Sequence, residues 1–312
     1  VVPIKIHNVV FCLCISSFVQ AEIEERVHWD SKLYDDHPLV GKIWSSELKI
    51  FLSAEQIENA LLGAKYLILG EKHDNPDHHI LQRSIIEHLI ANNNLSLLAF
   101  EMMDPDSQKR LDDIQSESLE DLLAIQEYLN WDTEGWEWSY YGPLIRSAYE
   151  SAVPMVGANI SSSTMMELYG LSALPKEIDI LEQSMKQQLN LDIDESHCGL
   201  LPESQFPAMV RVQQGRDYSM SQSLGPVDIE GTKVLIAGNY HARKDLGVPN
   251  YLLENNPGLT SEEIISLSLM EVDPSETEPE MYLQQHGEMA AYDYIWFTPV
   301  ISEVDYCASL RQ

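Results

Sequence analysis

Leu67-Ile68-Leu69-Gly70-Glu71-Lys72-His73-Asp74-Asn75-Pro76-Asp77-His78-His79 sets a carboxylate and three imidazoles within nine residues, between an apolar run and a helical pattern. Tyr66 to Leu69 reads as a fully buried strand, broken by Gly70. Asn75 is a good helix N-cap, and Pro76 suits the first helical position. From Pro76 to about Asn92, Leu81, Ile85, Ile86, Leu89 and Ile90 recur at helical spacing. Strand, tight turn and helix follow in order, and in open α/β sheets ligands bind beyond the carboxyl ends of the strands. Glu71 and His73 lie on that turn.

Strand–helix alternation continues outward. Leu95–Phe100 reads as a strand ending at Glu101, Pro154–Ala158 as a strand ending at Asn159, and Lys233–Ala237 as a strand before Gly238-Asn239-Tyr240-His241. Ile264–Val272 and Tyr292–Phe297 add two more. Helices are expected over Ser53–Gly63, Asp106–Gln115, Leu119–Leu129, Pro143–Ser151 and Ser161–Leu171. The predicted fold is α/β: a mostly parallel sheet flanked by helices, with an inserted helical subdomain. Residues 22–312 form a single domain, with its helical lobe at about 105–135 and 175–225.

Composition narrows the partners. The chain of 312 residues is 44% hydrophobic and carries a formal net charge of −31, with no basic patch. That excludes nucleic acid as a partner and disfavours anionic lipid headgroups. Val9 to Val19 is mostly apolar and is followed by Val19-Gln20-Ala21, which reads as a signal peptide occupying residues 1–21. Cys12 and Cys14 follow Phe11 and Leu13, large residues that make a poor lipobox. Export leaves Cys198 and Cys307, and an oxidising compartment allows a bond between them; the sequence leaves the pairing open.

Gly70-Glu71-Lys72-His73 and Gly238-Asn239-Tyr240-His241 are both Gly-x-x-His segments at apolar strand ends. If those strands are neighbours, His73 and His241 converge, and Glu71 and Glu101 join them. Such a set suits a divalent metal or general acid–base work. Adjacent Arg216 and Asp217 read as an ion pair locking the helical lobe. Trp131, Trp136 and Trp138 read as packing residues.

The string Leu69-Gly70-Glu71-x-His73-x-Asn75-Pro76-x-His78-His79, with Gln82 one turn on, resembles the ChaN-like family of haem-binding, iron-regulated bacterial proteins. Further blocks resemble it in order: Phe100-Glu101-Met102; Tyr141-x-Pro143 with Gly157-Ala158-Asn159; His197-Cys198-Gly199 with Arg216-Asp217; and Gly238-Asn239-x-His241 with Gly247-Val248-Pro249. More distantly, the paired segments resemble erythromycin esterases and other hydrolases. The resemblance implies a periplasmic or outer-membrane-associated protein for haem and iron acquisition, binding haem through tyrosine at a homodimer interface. Tyr141 and Tyr240 are the phenols nearest the matched blocks, with His78 and His197 as further cofactor-binding candidates. The alternative is a hydrolase, metal-dependent or His/Glu-based, built on Glu71, His73, Glu101 and His241. Where family members often have Gly, this chain has Tyr240, and the family's lipobox is missing.

Overall fold

The computed structural model describes residues 23, 28–226, 230–283, 285–287, 289–304 and 307–308. The segment read as a signal peptide lies outside the described residues. Two short strands, β1 (Ile43–Ser45) and β2 (Ile50–Leu52), precede helix α1 (Ala54–Leu62), strand β3 (Tyr66–Glu71) and helix α2 (Pro76–Ala91). Strand β4 (Leu95–Phe100) leads through α3 (Gln108–Asp113), α4 (Leu122–Leu129) and α5 (Trp138–Glu150) to β5 (Met155–Gly157). Next come α6 (Ser162–Gly170), α7 (Gln183–Ser196) and α8 (Phe206–Leu224), then β6 (Thr232–Gly238), α9 (Asn239–Ala242) and α10 (Val248–Asn255). Strand β7 (Ile264–Glu271), the hairpin β8 (Gln285–His286) and β9 (Met289–Ala290), and β10 (Tyr294–Thr298) follow.

The main sheet has the order β2-β1-β10-β7-β3-β6-β4-β5. From β10 to β5 every pairing is parallel, and β1 and β2 add an antiparallel edge. Alternation along the strands feeds two cores. Leu67, Leu69, Phe100, Val234 and Ile236 pack on one face against α1, α2 and α5, while Tyr66, Ile68, Leu235 and Ala237 pack on the other with α8 and α10. Residues 105–135, grouped with the lobe in the sequence, contribute Leu111, Ile114, Ile125 and Leu129 to the first core. A third cluster of Leu181, Leu189, Val210 and Leu246 holds α7 and α8 together as the lobe.

The strand order positions the site. The chain runs from β3 to β4 and out to β5, crosses the lobe, and returns as β6 between β3 and β4. Three carboxyl ends therefore meet beneath the lobe. In register, Glu71 lies beside Gly238, and Ile236 lies between Leu69 and Phe100.

Several elements differ from the sequence reading. Gly70 does not end β3, which continues through Glu71. Glycine is needed there because α9 lies against the strand: a Cβ would meet Asn239 Oδ1 at 2.4 Å and Ala242 Cβ at 3.0 Å. Helix α5 starts at Trp138, five residues before Pro143, because the Glu137 carboxylate accepts from Ser139 N and caps it. Tyr140 and Tyr141 are thus helical. β1 and β2 escaped notice because three-residue strands carry no readable alternation. Among the described residues no helix is long and apolar enough to cross a membrane.

Gly70→Ala is expected to lower stability by about 1–3 kcal/mol through overpacking. Gly170→Ala, where nothing lies within 4 Å of the added carbon, is the control. Urea unfolding of both variants checks this, and equal midpoints would contradict the α9–β3 packing.

Candidate functional site

Glu71, His73, Glu101 and His241 do converge, and a fifth residue that the sequence misassigned joins them. His241 is buried between two carboxylates, with Nδ1 2.6 Å from Asp217 Oδ1 and Nε2 3.3 Å from Glu101 Oε1. Glu101 Oε2 accepts from Gly238 N at 2.8 Å and lies 4.0 Å from His73 Nε2. His73 Nδ1 bonds Glu71 Oε1 at 2.8 Å, and the Tyr141 hydroxyl donates to the same oxygen at 2.6 Å. His79 Nδ1 stands 3.2 Å from Glu71 Oε2, and its Nε2 bonds the His73 carbonyl at 3.0 Å. Gly238 makes the contact possible, since a Cβ there would meet His73 Nε2 at 3.0 Å.

The result is an alternating chain of acids and bases running from Asp217 on α8 across three strand ends to α2 and α5. Burial alone would lower the His241 pKa, but Glu101 and Asp217 raise it to about 10. Burial would raise Glu101, yet His241, His73 and the Gly238 N–H bring it down to about 2. Glu71, also buried, is held well below the usual carboxylate range by His79 and His73. Burial works against a charged His73, and Glu71 overcomes it and raises its pKa. Burial and the neighbouring Glu71 push the Tyr141 phenol far up.

The adjacency of Arg216 and Asp217 suggested an ion pair, and the structure shows otherwise. Neighbours on a helix diverge by about 100°. Asp217 turns inward to His241, and Arg216 turns to the groove between α6, α7 and α8. Among the described residues no group of three or more His, Cys, Asp or Glu could hold a metal ion. The divalent-metal reading therefore finds no support here.

The other sequence candidates scatter. His78 is fully buried, with Nδ1 accepting from Lys72 N at 2.9 Å and Nε2 bonded to Thr298 Oγ1 at 2.8 Å. Burial, then His79, lowers its pKa to about 3, so it stays neutral. Its neighbours Asn75 and Asp77 tie the start of α2 to Glu271 and to Ser31 N. The Tyr240 hydroxyl bonds Asp192, and burial followed by that carboxylate raises its pKa steeply.

His197 alone of the cofactor candidates borders an apolar groove. This groove, about 460 Å³, lies in the lobe between α6, α7 and α8. Met165, Met166 and Tyr169 form one wall, Ile193, Ser196 and His197 another, and Met209, Val212, Gln213 and Arg216 the floor. His197 Nδ1 bonds the Ile193 carbonyl at 2.7 Å, which makes Nε2 the lone-pair nitrogen of the neutral ring. Among the described residues, Arg216 Nε is buried with no hydrogen-bond partner, and its Nη2 has only Met165 Sδ, 3.9 Å away. Tyr169 and Arg216 carried no spacing signal as site residues; a groove across three helices is a tertiary feature. Groove and cluster touch at Gln213, whose Nε2 lies 3.2 Å from His241 Nδ1.

The cluster predicts a pH profile. A His241 pKa raised from 6.5 to about 10 stabilises fully below pH 6.5, and that contribution is lost as pH rises through about 10. Glu101, lowered from 4.5 to about 2, contributes above pH 4.5 and loses it as pH falls towards about 2. His241→Ala leaves buried carboxylates unpaired and is expected to cost about 3–5 kcal/mol near neutrality. The deficit should shrink above about pH 10, where the wild-type imidazole is neutral. Denaturant unfolding from pH 6 to 11 measures it; a constant deficit would show that the imidazolium is not what stabilises.

A family described as haem-binding uptake, Tiki superfamily, ChaN matches residues 57–252. ChaN of Campylobacter jejuni, described for its cofacial haem binding, is 25% identical, with a TM-score of 0.64 over 81% of this chain and 95% of that chain. An erythromycin esterase mutant, EreC, in its open conformation, is 15% identical, with a TM-score of 0.41 over 73% of this chain and 77% of that chain. RRSP, a MARTX toxin effector domain from Vibrio vulnificus, is 14% identical, with a TM-score of 0.40 over 69% of this chain and 35% of that chain. Likeness at the level of these two carries no functional inference. Comparison with curated protein sequences gives no match. With well over half of its length matched, the chain belongs to the ChaN family of haem-binding uptake proteins.

Proposed function

We propose that this protein binds haem in the groove between α6, α7 and α8 and serves haem or iron acquisition as a carrier. The observation that carries the reading is Arg216, a guanidinium with no carboxylate partner among the described residues, set in a methionine-rich apolar groove. Haem is a flat apolar ring with carboxylate side arms and a metal needing an axial ligand. Arg216 supplies the charge for a carboxylate. Met165, Met166, Met209 and Val212 supply apolar, adaptable walls. Tyr169 supplies a phenol for ferric iron, and His197 an imidazole whose other nitrogen is already fixed by a backbone carbonyl. Haem would bring the redox-active iron. Tyr141 and Tyr240 serve poorly as phenolates, since each donates its proton to a carboxylate, Glu71 and Asp192 respectively.

A second copy of the chain completes the site. Met166 and Leu191 on the lobe are each 64% exposed, and Leu200 is 51% exposed, apolar side chains open to solvent on an otherwise strongly acidic chain. Two grooves facing each other would shield two haems, as the cofacial binding described for the Campylobacter protein suggests. Export to the periplasm or outer membrane is supported by the Cys198–Cys307 disulfide, a bond that oxidising compartments sustain.

The hydrolytic alternative at the strand ends is less favoured. A general base works best with a pKa near the operating pH. His241 is held protonated with a pKa of about 10, and Glu101 and Glu71 lie at the other extreme. The set reads as a charged brace that fixes α8.

A ferric haem titration followed in the Soret region tests the carrier reading. Wild type should saturate, Arg216→Met should weaken binding by about 10–100-fold through loss of a charge-assisted hydrogen bond, and Tyr169→Phe should abolish the phenolate charge-transfer band. Tyr141→Phe and Tyr240→Phe should keep that band. Saturable binding untouched by Arg216→Met and Tyr169→Phe would place haem elsewhere, and no saturation would remove the carrier reading. Sedimentation of the same samples should show dimers on haem loading.

A further inference from the structure

One wall of the groove is weakly built. Helix α7 has 14 residues but buries only Leu189, and its N-cap Glu182 makes no side-chain capping bond. Leu189, with Met185 and Ile193 partly buried beside it, packs on Val210 and Leu246, and the remaining links are polar: Asp192 with Tyr240 and with Arg243 Nη1 at 3.6 Å, and Lys186 with Asp179 of the preceding loop. Such an element belongs to the low-stability end of a fold. Its carboxyl end carries His197 into the groove, and directly after it Cys198 is bonded to Cys307, with Cα atoms 5.4 Å apart.

The far side of that bond is anchored differently. The chain leaving β10 pairs Val300 with Leu33, donates from Ile301 N to Glu271 Oε1 at 2.9 Å, and bonds Glu303 to the Tyr34 hydroxyl. The disulfide therefore joins the end of α7 to Cys307, four residues beyond that anchored stretch and 109 residues away in sequence. Backbone at the junction turns left-handed at two successive residues, Cys198 (φ 61°) and Gly199 (φ 68°), the first unfavourable for a residue with a Cβ. Both cysteines are half-buried, within reach of a reductant.

We propose that the Cys198–Cys307 disulfide is a redox clamp on the groove: oxidised, it holds α7 closed on haem, and its reduction by a dithiol lets α7 swing away and release haem. This rests on the haem reading of the groove. In the reaction one thiolate of the dithiol attacks a disulfide sulfur and expels the other cysteine as thiolate. The second thiol, as thiolate, then attacks the dithiol's own sulfur in the mixed disulfide and expels the remaining cysteine as thiolate. The Cys198 and Cys307 sulfurs gain two electrons and two protons, and the dithiol becomes a disulfide.

Haem transfer to excess apomyoglobin measures release, with the oxidised protein compared against the Cys198→Ser/Cys307→Ser double variant, which needs no reductant in the cuvette. Hydrogen exchange of the 183–197 amides is read on both without haem. The variant should release haem at least about tenfold faster, since affinity changes within one site fall mainly on the off-rate. Its α7 amides should exchange faster while those of β3 and β6 stay protected. Equal release rates, or unchanged α7 exchange, would overturn the clamp. If the oxidised protein takes up no haem at all, the groove reading fails, and the exchange comparison alone decides whether the bond holds α7.

Discussion

A buried imidazolium between two buried carboxylates is the constraint on which the rest of this structure depends. His241 follows β6, Glu101 follows β4, and Asp217 lies in the middle of α8. Their contact fixes the lobe over the carboxyl edge of the sheet. Remove the positive charge and two carboxylates remain in a place water does not reach, a cost that Coulomb attraction no longer offsets. The same contact sets the height and rotation of α8. With Asp217 turned inward, the residues one turn before and next to it, Gln213 and Arg216, face the groove. Electrostatics at the strand ends and shape in the lobe are therefore one problem, solved by one helix.

This division of labour explains why a set resembling catalytic machinery does not look poised for catalysis. Glu101 and Asp217 raise the His241 pKa, and His241 in turn holds Glu101 low. His73, with a side chain 40% exposed, is the member nearest water, and its ring rests against Gly238 and edge-on to Trp136. The apolar groove has the opposite character, with polarisable side chains and an arginine that has no carboxylate partner among the described residues.

Much of the fold was legible because parallel strands buried on both faces are short apolar runs that end sharply. β3, β4, β6 and β7 could be read within a residue or two, and the Asn75-Pro76 start of α2 was visible as cap chemistry. The convergence of Glu71, His73, Glu101 and His241 also followed from strand ends alone, once β3 and β6 proved to be neighbours. The antiparallel edge was not legible, since pairing there is set by the partner strand rather than by pattern. Nor was the split between Arg216 and Asp217, adjacent in sequence and opposed in space. His78 was misleading because its place at the head of an inward stripe points equally to a pocket or to a buried hydrogen bond with Thr298. The groove had no local signature, because α6, α7 and α8 each contribute only a few residues to it.

The most direct test of the account is the position of iron, located by anomalous diffraction at the iron edge from crystals grown with ferric haem. The account predicts one iron per chain in the lobe, bordered by Tyr169, His197 and Arg216. Iron beside Glu71, His73 and Glu101 at the strand ends, or no ordered iron at saturating haem, would contradict it.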